Sequence, residues 1–255
     1  MGLRHIVLAG VLCALALPAT ADPYPWLKGA RITRTLEDAV PALSGFKRTV
    51  ASPGSFAAWL RHLPMKAAGA PVKLYDGRSK FDQQHHAAVI DIDTGAENLQ
   101  QCADAVMRLR AEYLLAQGRA RDISFNYTNG KRQTFPGGSY DQFRRYMRRI
   151  FSYAGSYSLE REMQKVPVTS IAVGDVFIQG GFPGHAVLVI DMAENAVTGE
   201  KRFLLMQSFM PAQDMHVLKN PHATDASPWY PAALGPELVT PEWIFKAGDL
   251  RRFKN

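Results

Sequence analysis

Apolar residues fall into two rhythms along this chain. In "ENLQQCADAVMRLRAEYL" (97–114), Leu99, Cys102, Val106, Leu109 and Tyr113 recur at intervals of three and four, the spacing of one helix face. Asn98 stands where an N-cap belongs, Gln101 three positions on is its capping-box partner, and Gly118 closes the element. The spacing predicts a helix from Leu99, with Cys102 as its fourth residue. "SYDQFRRYMRRIFSYA" (139–154) predicts a second amphipathic helix with Phe143, Met147, Ile150 and Phe151 inward. Shorter helices are expected over Phe56–Leu63, stopped by Pro64, and over "SLEREMQKV" (158–166).

The second rhythm is that of strands. "HHAAVIDID" (85–93), "GDVFIQ" (174–179), "HAVLVIDM" (185–192) and "RFLLMQSF" (202–209) are short, apolar and largely β-branched or aromatic. "PVKLYDGR" (71–78) reads as a strand ending in a turn. "RDISFNYTNGKRQTF" (121–135) reads as a hairpin around Asn129-Gly130. "DPYPWLKGARI" (22–32) reads as an extended arm lying on the body, and residues 210–237 are too irregular and proline-rich to assign. Helices come early and antiparallel strands late, which predicts an α+β domain.

Length and composition add the setting. Residues 1–21 read as a secretory signal: basic Arg4, the apolar run "IVLAGVLCALAL", then Ala19-Thr20-Ala21 as a small-x-small cleavage site. The run is too short to span a bilayer, and no later segment approaches spanning length. The expected product is one exported, periplasmic or extracellular domain over 22–255, without a membrane span after signal cleavage. Its formal charge falls from +7 to +6 when Arg4 is lost. The excess is dispersed along the chain, as on a solvated surface, and no DNA- or RNA-reading motif is present. Cys13 lies in the leader, so the mature chain carries Cys102 alone and has no internal disulfide.

A lone thiol in an exported chain is sheltered, reactive or paired with another molecule. Near a helix start, unpaired N–H groups and the helix dipole favour a thiolate; on an apolar stripe, a cysteine also serves as a small hydrophobe. His185 opens a strand after a Pro-Gly turn, where an imidazole can act as the base for a cysteine nucleophile. Asp191 shares its face, but six residues of strand put it about 20 Å away at ~3.3 Å each. Across the 193–200 turn the residue opposite His185 is Gln207 or, with a one-residue slip, Ser208, and only one faces the ring. Gln207 is chosen because its amide oxygen accepts from an imidazole N–H. For an oxyanion donor beside the Cys102 N–H, Gln83, Gln84, Gln100 and Gln101 are available; Gln101 is wanted for capping, and Gln84 is preferred. His85, His86, His185, His216 and His222 supply possible metal ligands, but no metal-binding spacing appears, and no cofactor is required.

"LQQCADAVMRLRAEYL", "GDVFIQGGFPGHAVLVIDM" and "QSFMPAQDMHVLKNP" resemble the characteristic segments of a bacterial family, domain of unknown function 4846, over nearly all of the mature chain. More loosely, a cysteine at a helix start, a Gly-Asp strand, a Gly-His strand and a polar residue on the next strand are similar to papain-like cysteine peptidases, nearest the cell-wall amidase branch known as NlpC/P60 and CHAP. That likeness implies a papain-like arrangement, N-terminal helices packed on a C-terminal antiparallel sheet. It also implies Cys102 as nucleophile, His185 as base and Gln207 as orienting group, acting on a peptide or peptidoglycan-like amide. The competing expectation is a non-catalytic envelope binding or scaffolding protein in which Cys102 is core.

Overall fold

The computed structural model describes residues 22–254; the leader and its Cys13 lie outside the described residues. Five helices precede most of the sheet: α1 (Leu36–Ala39), α2 (Phe56–Arg61), α3 (Cys102–Ala116), α4 (Tyr140–Tyr153) and α5 (Ser156–Glu162). The strands are β1 (Phe46–Arg48), β2 (His86–Val89), β3 (Ser124–Asn126), β4 (Arg132–Thr134), β5 (Gln164–Lys165), β6 (Val176–Gln179), β7 (His185–Asn195), β8 (Lys201–Gln207), β9 (His216–Leu218), β10 (Tyr230–Pro231), β11 (Glu237–Val239), β12 (Ile244–Lys246) and β13 (Leu250–Arg252). The main sheet runs β2-β9-β8-β7-β6-β13-β5, with β1 added beside β7 and β10 beside β8. All of its pairings are antiparallel. The fold is therefore α+β, and β3–β4 is the hairpin expected around Asn129-Gly130.

Strand β7 lies at the centre, buried from His185 to Ala193. Its apolar run is continuous because both faces are covered. Ala186, Leu188 and Ile190 join the core under α3, with Leu204 and Met206 of β8. Val187 and Val189 join a second core with Phe177, Phe203, Leu205, Leu238 and Phe245, closed by the β11–β12 hairpin. Burying each such side chain stabilises by about 1.5–3 kcal/mol. Trp229 and Tyr230, in the span that the sequence left unassigned, are buried as well, and β9 and β10 arise there.

Helix α3 departs from its predicted start. Gln101 is extended (φ −89°, ψ −160°) and is the cap, so Cys102 is the first helical residue. The N–H of Gln101 donates to the Asp104 carboxylate at 3.1 Å. Asn98, expected as the cap, instead accepts the N–H of Ala212 at 2.7 Å and ties the 208–213 loop to this segment. Nor is α3 a one-faced helix. Arg108 and Glu112 are buried with the apolar residues. Arg108 donates to Glu112 (2.9 Å), to the Gln100 amide oxygen (2.7 Å) and to the Asp93 carbonyl (3.0 Å), and the Tyr140 hydroxyl donates to Glu112 (2.8 Å). These bonds satisfy a charge that the core would otherwise reject.

A second buried charge ties the edge elements to β7. A bulge between Val189 and Asp191 turns Asp191 inward, where it is fully buried and accepts from Arg48 of β1 (2.5 Å) and Arg61 of α2 (2.8 Å). Asp191→Ala leaves two largely buried guanidinium groups with backbone carbonyls but no counter-charge, a loss of about 3–5 kcal/mol. Denaturant unfolding is expected to show that drop, and a change below about 1 kcal/mol would refute the clamp.

Candidate functional site

At one end of the sheet three segments converge: the start of α3, the Gly-rich turn 180–184 into β7, and the loop leaving β8. The turn packs on α5 so closely that Gly184 has no room for a side chain. A Cβ there would stand 2.3 Å from the Ser156 hydroxyl and 2.5 Å from the Gln179 carbonyl. On the other side, the Ser208 hydroxyl donates to the carbonyls of Gln213 (2.8 Å) and Gln100 (3.2 Å), pinning the loop to the helix start.

His185 is fully buried in the second core, its ring centroid 4.9 Å from Phe209, 5.3 Å from Trp243 and 5.8 Å from Phe245. Gln207 lies on the same face, and its Oε1 is 2.9 Å from the His185 Nε2. Ser208, the alternative, turns to the other face. The register explains the choice: Leu188 pairs with Met206, which sets Gln207 diagonal to His185 with matching parity.

A chain of hydrogen bonds sets the proton positions. His216 Nδ1 is 2.9 Å from the Asp214 carbonyl, which only accepts, so that nitrogen carries the proton. Its Nε2 then accepts from the Gln207 amide nitrogen at 3.3 Å. The same amide nitrogen donates to Glu242 at 2.5 Å, and Glu242 is held by Lys80 at 2.7 Å. With both amide hydrogens committed, Gln207 presents its oxygen to His185. His185 Nε2 therefore bears the proton, and Nδ1 keeps a lone pair. That Nδ1 is buried without a hydrogen-bond partner.

Cys102 approaches from the α3 layer. Its sulfur is 4.0 Å from the Gly184 carbonyl, one residue before His185, and the thiol is 6% exposed. No hydrogen bond joins it to the His185 ring. Burial, reinforced by the nearby Asp104, pushes the thiol up to about 11, while the N–H groups of Ala103, Ala186 and Cys102 pull the other way. Burial likewise lowers His185 to about 4, against the Gln207 hydrogen bond and the Glu242 charge. At neutral pH both groups are uncharged. Neither lines the surface pockets at 220–239, beside Arg110, beside His86, beside Arg144 or beside Tyr146.

The four glutamines weighed as oxyanion donors are not gathered at the thiol. Gln83 clasps Val72, Gln100 is held by Arg108 and Gln101 caps α3. Gln84 is exposed just before β2, and β2 lies three strand spacings from β7, about 14 Å at ~4.8 Å each. Among the described residues no three His, Cys, Asp or Glu side chains form a metal-ligand cluster. No helix there is long and apolar enough to cross a membrane. Sequence reasoning missed Glu242, Lys80 and the bridging role of His216. The available signal was that His216 and Glu242 interrupt apolar neighbourhoods in "MHVL" and "PEWIF"; nothing in "RSKF" marks Lys80.

The model of the family described as Domain of unknown function (4846) matches residues 36–137 and 133–252. The chain belongs to this family. The DUF4846 match takes in Cys102 with its first segment and His185, Gln207 and His216 with its second, so the whole convergence lies inside the family unit. No curated protein and no solved structure matches this DUF4846 chain.

The two buried rings make stability pH-dependent. His185 and His216 protonate near 6.5 when unfolded but only at about 4 and about 3 in the fold. The unfolded chain binds more protons across that window, so their contribution is complete above about 6.5 and is lost as pH falls toward 3–4. For each ring this amounts to a few kcal/mol, on the order of 1.4 per pKa unit. Denaturant midpoints are expected to fall between pH 7 and 4, and less steeply in His216→Gln. Identical pH dependence in the two proteins would contradict a neutral buried His216.

Proposed function

We propose that this DUF4846 chain is an exported thiol-dependent amide hydrolase or acyl transferase of papain-like arrangement, acting on a peptide or peptidoglycan-like amide. One observation carries the reading: His185 Nε2–H is committed to Gln207, which leaves a buried, unpartnered Nδ1 at the turn where the Cys102 sulfur packs. A base oriented by a third group, with a thiol on the first residue of a helix packed on the same turn, is the set of groups that nucleophilic cysteine chemistry uses. The signal-like leader supports export.

In this reaction the thiol turns from the Gly184 carbonyl toward Nδ1 and passes its proton there as sulfur bonds to the substrate carbonyl carbon. The oxyanion that forms meets the Cys102 N–H, at the positive end of α3. Collapse breaks the C–N bond, and His185 returns the proton to the leaving amine. Water, or a second amine in a transferase, then attacks the thioester with His185 again taking its proton, and Cys102 is regenerated. Gln207 holds the ring in the required tautomer throughout. Glu242 accepts from Gln207 and so favours the transient imidazolium. Exposed Phe182 and Met210 stand on the two loops flanking this end of the sheet and offer apolar contacts to a substrate.

A second reading has its own support. The thiol is buried, pushed up to about 11 and not bonded to His185, as for a packing residue in a non-catalytic envelope protein. Thiol labelling separates the two. In Cys13→Ser protein, Cys102 is expected to react with iodoacetamide at pH 6–7 at least ten times faster than under global unfolding control, with His185→Ala removing that advantage and Gln207→Ala reducing it. Labelling that requires unfolding, and is indifferent to His185→Ala, establishes the packing role instead.

A further inference from the structure

We infer that the pocket between the second half of α3, the β3–β4 hairpin, α5 and the C-terminal segment binds a phosphomonoester group. This cavity of about 580 Å³ is lined by Arg110, Arg121, Arg132, Arg161 and Glu162, with Phe253 as an apolar wall. Arg110 is eight residues beyond Cys102, about 12 Å at ~1.5 Å per residue, so the inference is independent of the proposed thiol chemistry.

Arg110 is the central observation. Its guanidinium is half-buried among aromatic rings, 5.3 Å from the centroid of Phe56, 5.6 Å from Tyr113 and 5.3 Å from Phe253. Among the described residues it forms no ion pair, and neither do Arg121, Arg132 and Arg161. Its near neighbours Arg119 and Asp122 bind each other at 2.6 Å. Partial burial lowers the Arg110 pKa, the mark of a charge held out of water without a counter-ion. Three rings surround the guanidinium without taking its N–H donors, and a planar fork matches phosphoryl oxygens. Arg161 is similarly stacked, 3.4 Å over Tyr157, and Arg132 is steadied by the Ser124 hydroxyl.

Glu162 selects among anions. One carboxyl oxygen accepts the Asn126 N–H at 3.1 Å, and the other is buried with no partner. Burial pushes this carboxyl up to about 7, against the nearby charges of Arg132 and Lys254. A phosphomonoester has its second ionisation near 6, so the ligand and Glu162 share one proton in a single hydrogen bond. The remaining dianionic charge faces the arginines.

Calorimetric titration of the purified protein with glycerol 3-phosphate tests the site. Saturable binding is expected, weakened at least tenfold in Arg110→Gln and in Arg132→Gln, and kept in Glu162→Gln, which still donates. If Arg110→Gln does not fold, the exposed pair Arg121→Gln and Arg132→Gln decides the question. A parallel arm sediments the protein with vesicles of phosphatidylcholine, with or without phosphatidic acid. Arg110-dependent binding of the soluble ester identifies a free metabolite, and Arg110-dependent binding only to phosphatidic acid vesicles identifies a lipid headgroup. Absence of both, or affinity unchanged in the arginine variants, overturns the inference.

Discussion

Everything in this fold follows from the burial of β7 on both faces. An antiparallel strand commonly shows one face to water, but here nine successive residues from His185 are buried. Such a strand is stable only with a layer on each side. The α3 layer supplies one cover, and the β11–β12 hairpin, with Trp243 and Phe245, supplies the other. At the strand's first residue the Gly-rich turn packs against the start of α3. Cys102 arrives there from one layer and the His185 ring belongs to the other, so the turn at Gly184 is their common boundary.

The polar groups around His185 form one connected chain. A backbone carbonyl at Asp214 fixes the tautomer of His216, which fixes the amide of Gln207, which fixes the proton on His185. Each link is imposed because a buried donor facing a donor is far more costly than a modest loss of packing. The chain ends at one unsatisfied atom, the His185 Nδ1, and at one ion pair reaching the surface, Lys80 with Glu242. Within the His216–Gln207–His185 chain, the unused hydrogen-bonding capacity is left at that nitrogen.

Charge also divides the molecule along α3. Arg108 is enclosed by Glu112, Gln100 and Asp93 and serves the core, whereas Arg110, two residues on, turns to aromatic rings and forms no ion pair among the described residues. Neutralised within the core and left open at the rim, the same residue type does two jobs. Asp191 repeats the first job on β7, holding β1 and α2 through Arg48 and Arg61.

Local pattern alone determined α2, α3 and α4, the α+β class, the hairpin at Asn129-Gly130 and the β7–β8 pairing, because periodicity and turn chemistry act between near neighbours; the strand expected over 71–78 is reduced to isolated bridges at Lys73 and Leu74. It also singled out Cys102, His185 and Gln207, since a helix start, a Pro-Gly turn and strand alternation are all short-range. It misjudged the cap of α3, where Asn98 is drawn off to Ala212, more than a hundred residues away. It could not find Glu242, Lys80 or the linking role of His216, nor reject Gln84, because those depend on which distant segments the sheet brings side by side. The burial of Arg108 and Glu112 was hidden for the same reason: helical spacing reports one apolar face, and only the layers packed around α3 decide that the opposite face is covered too.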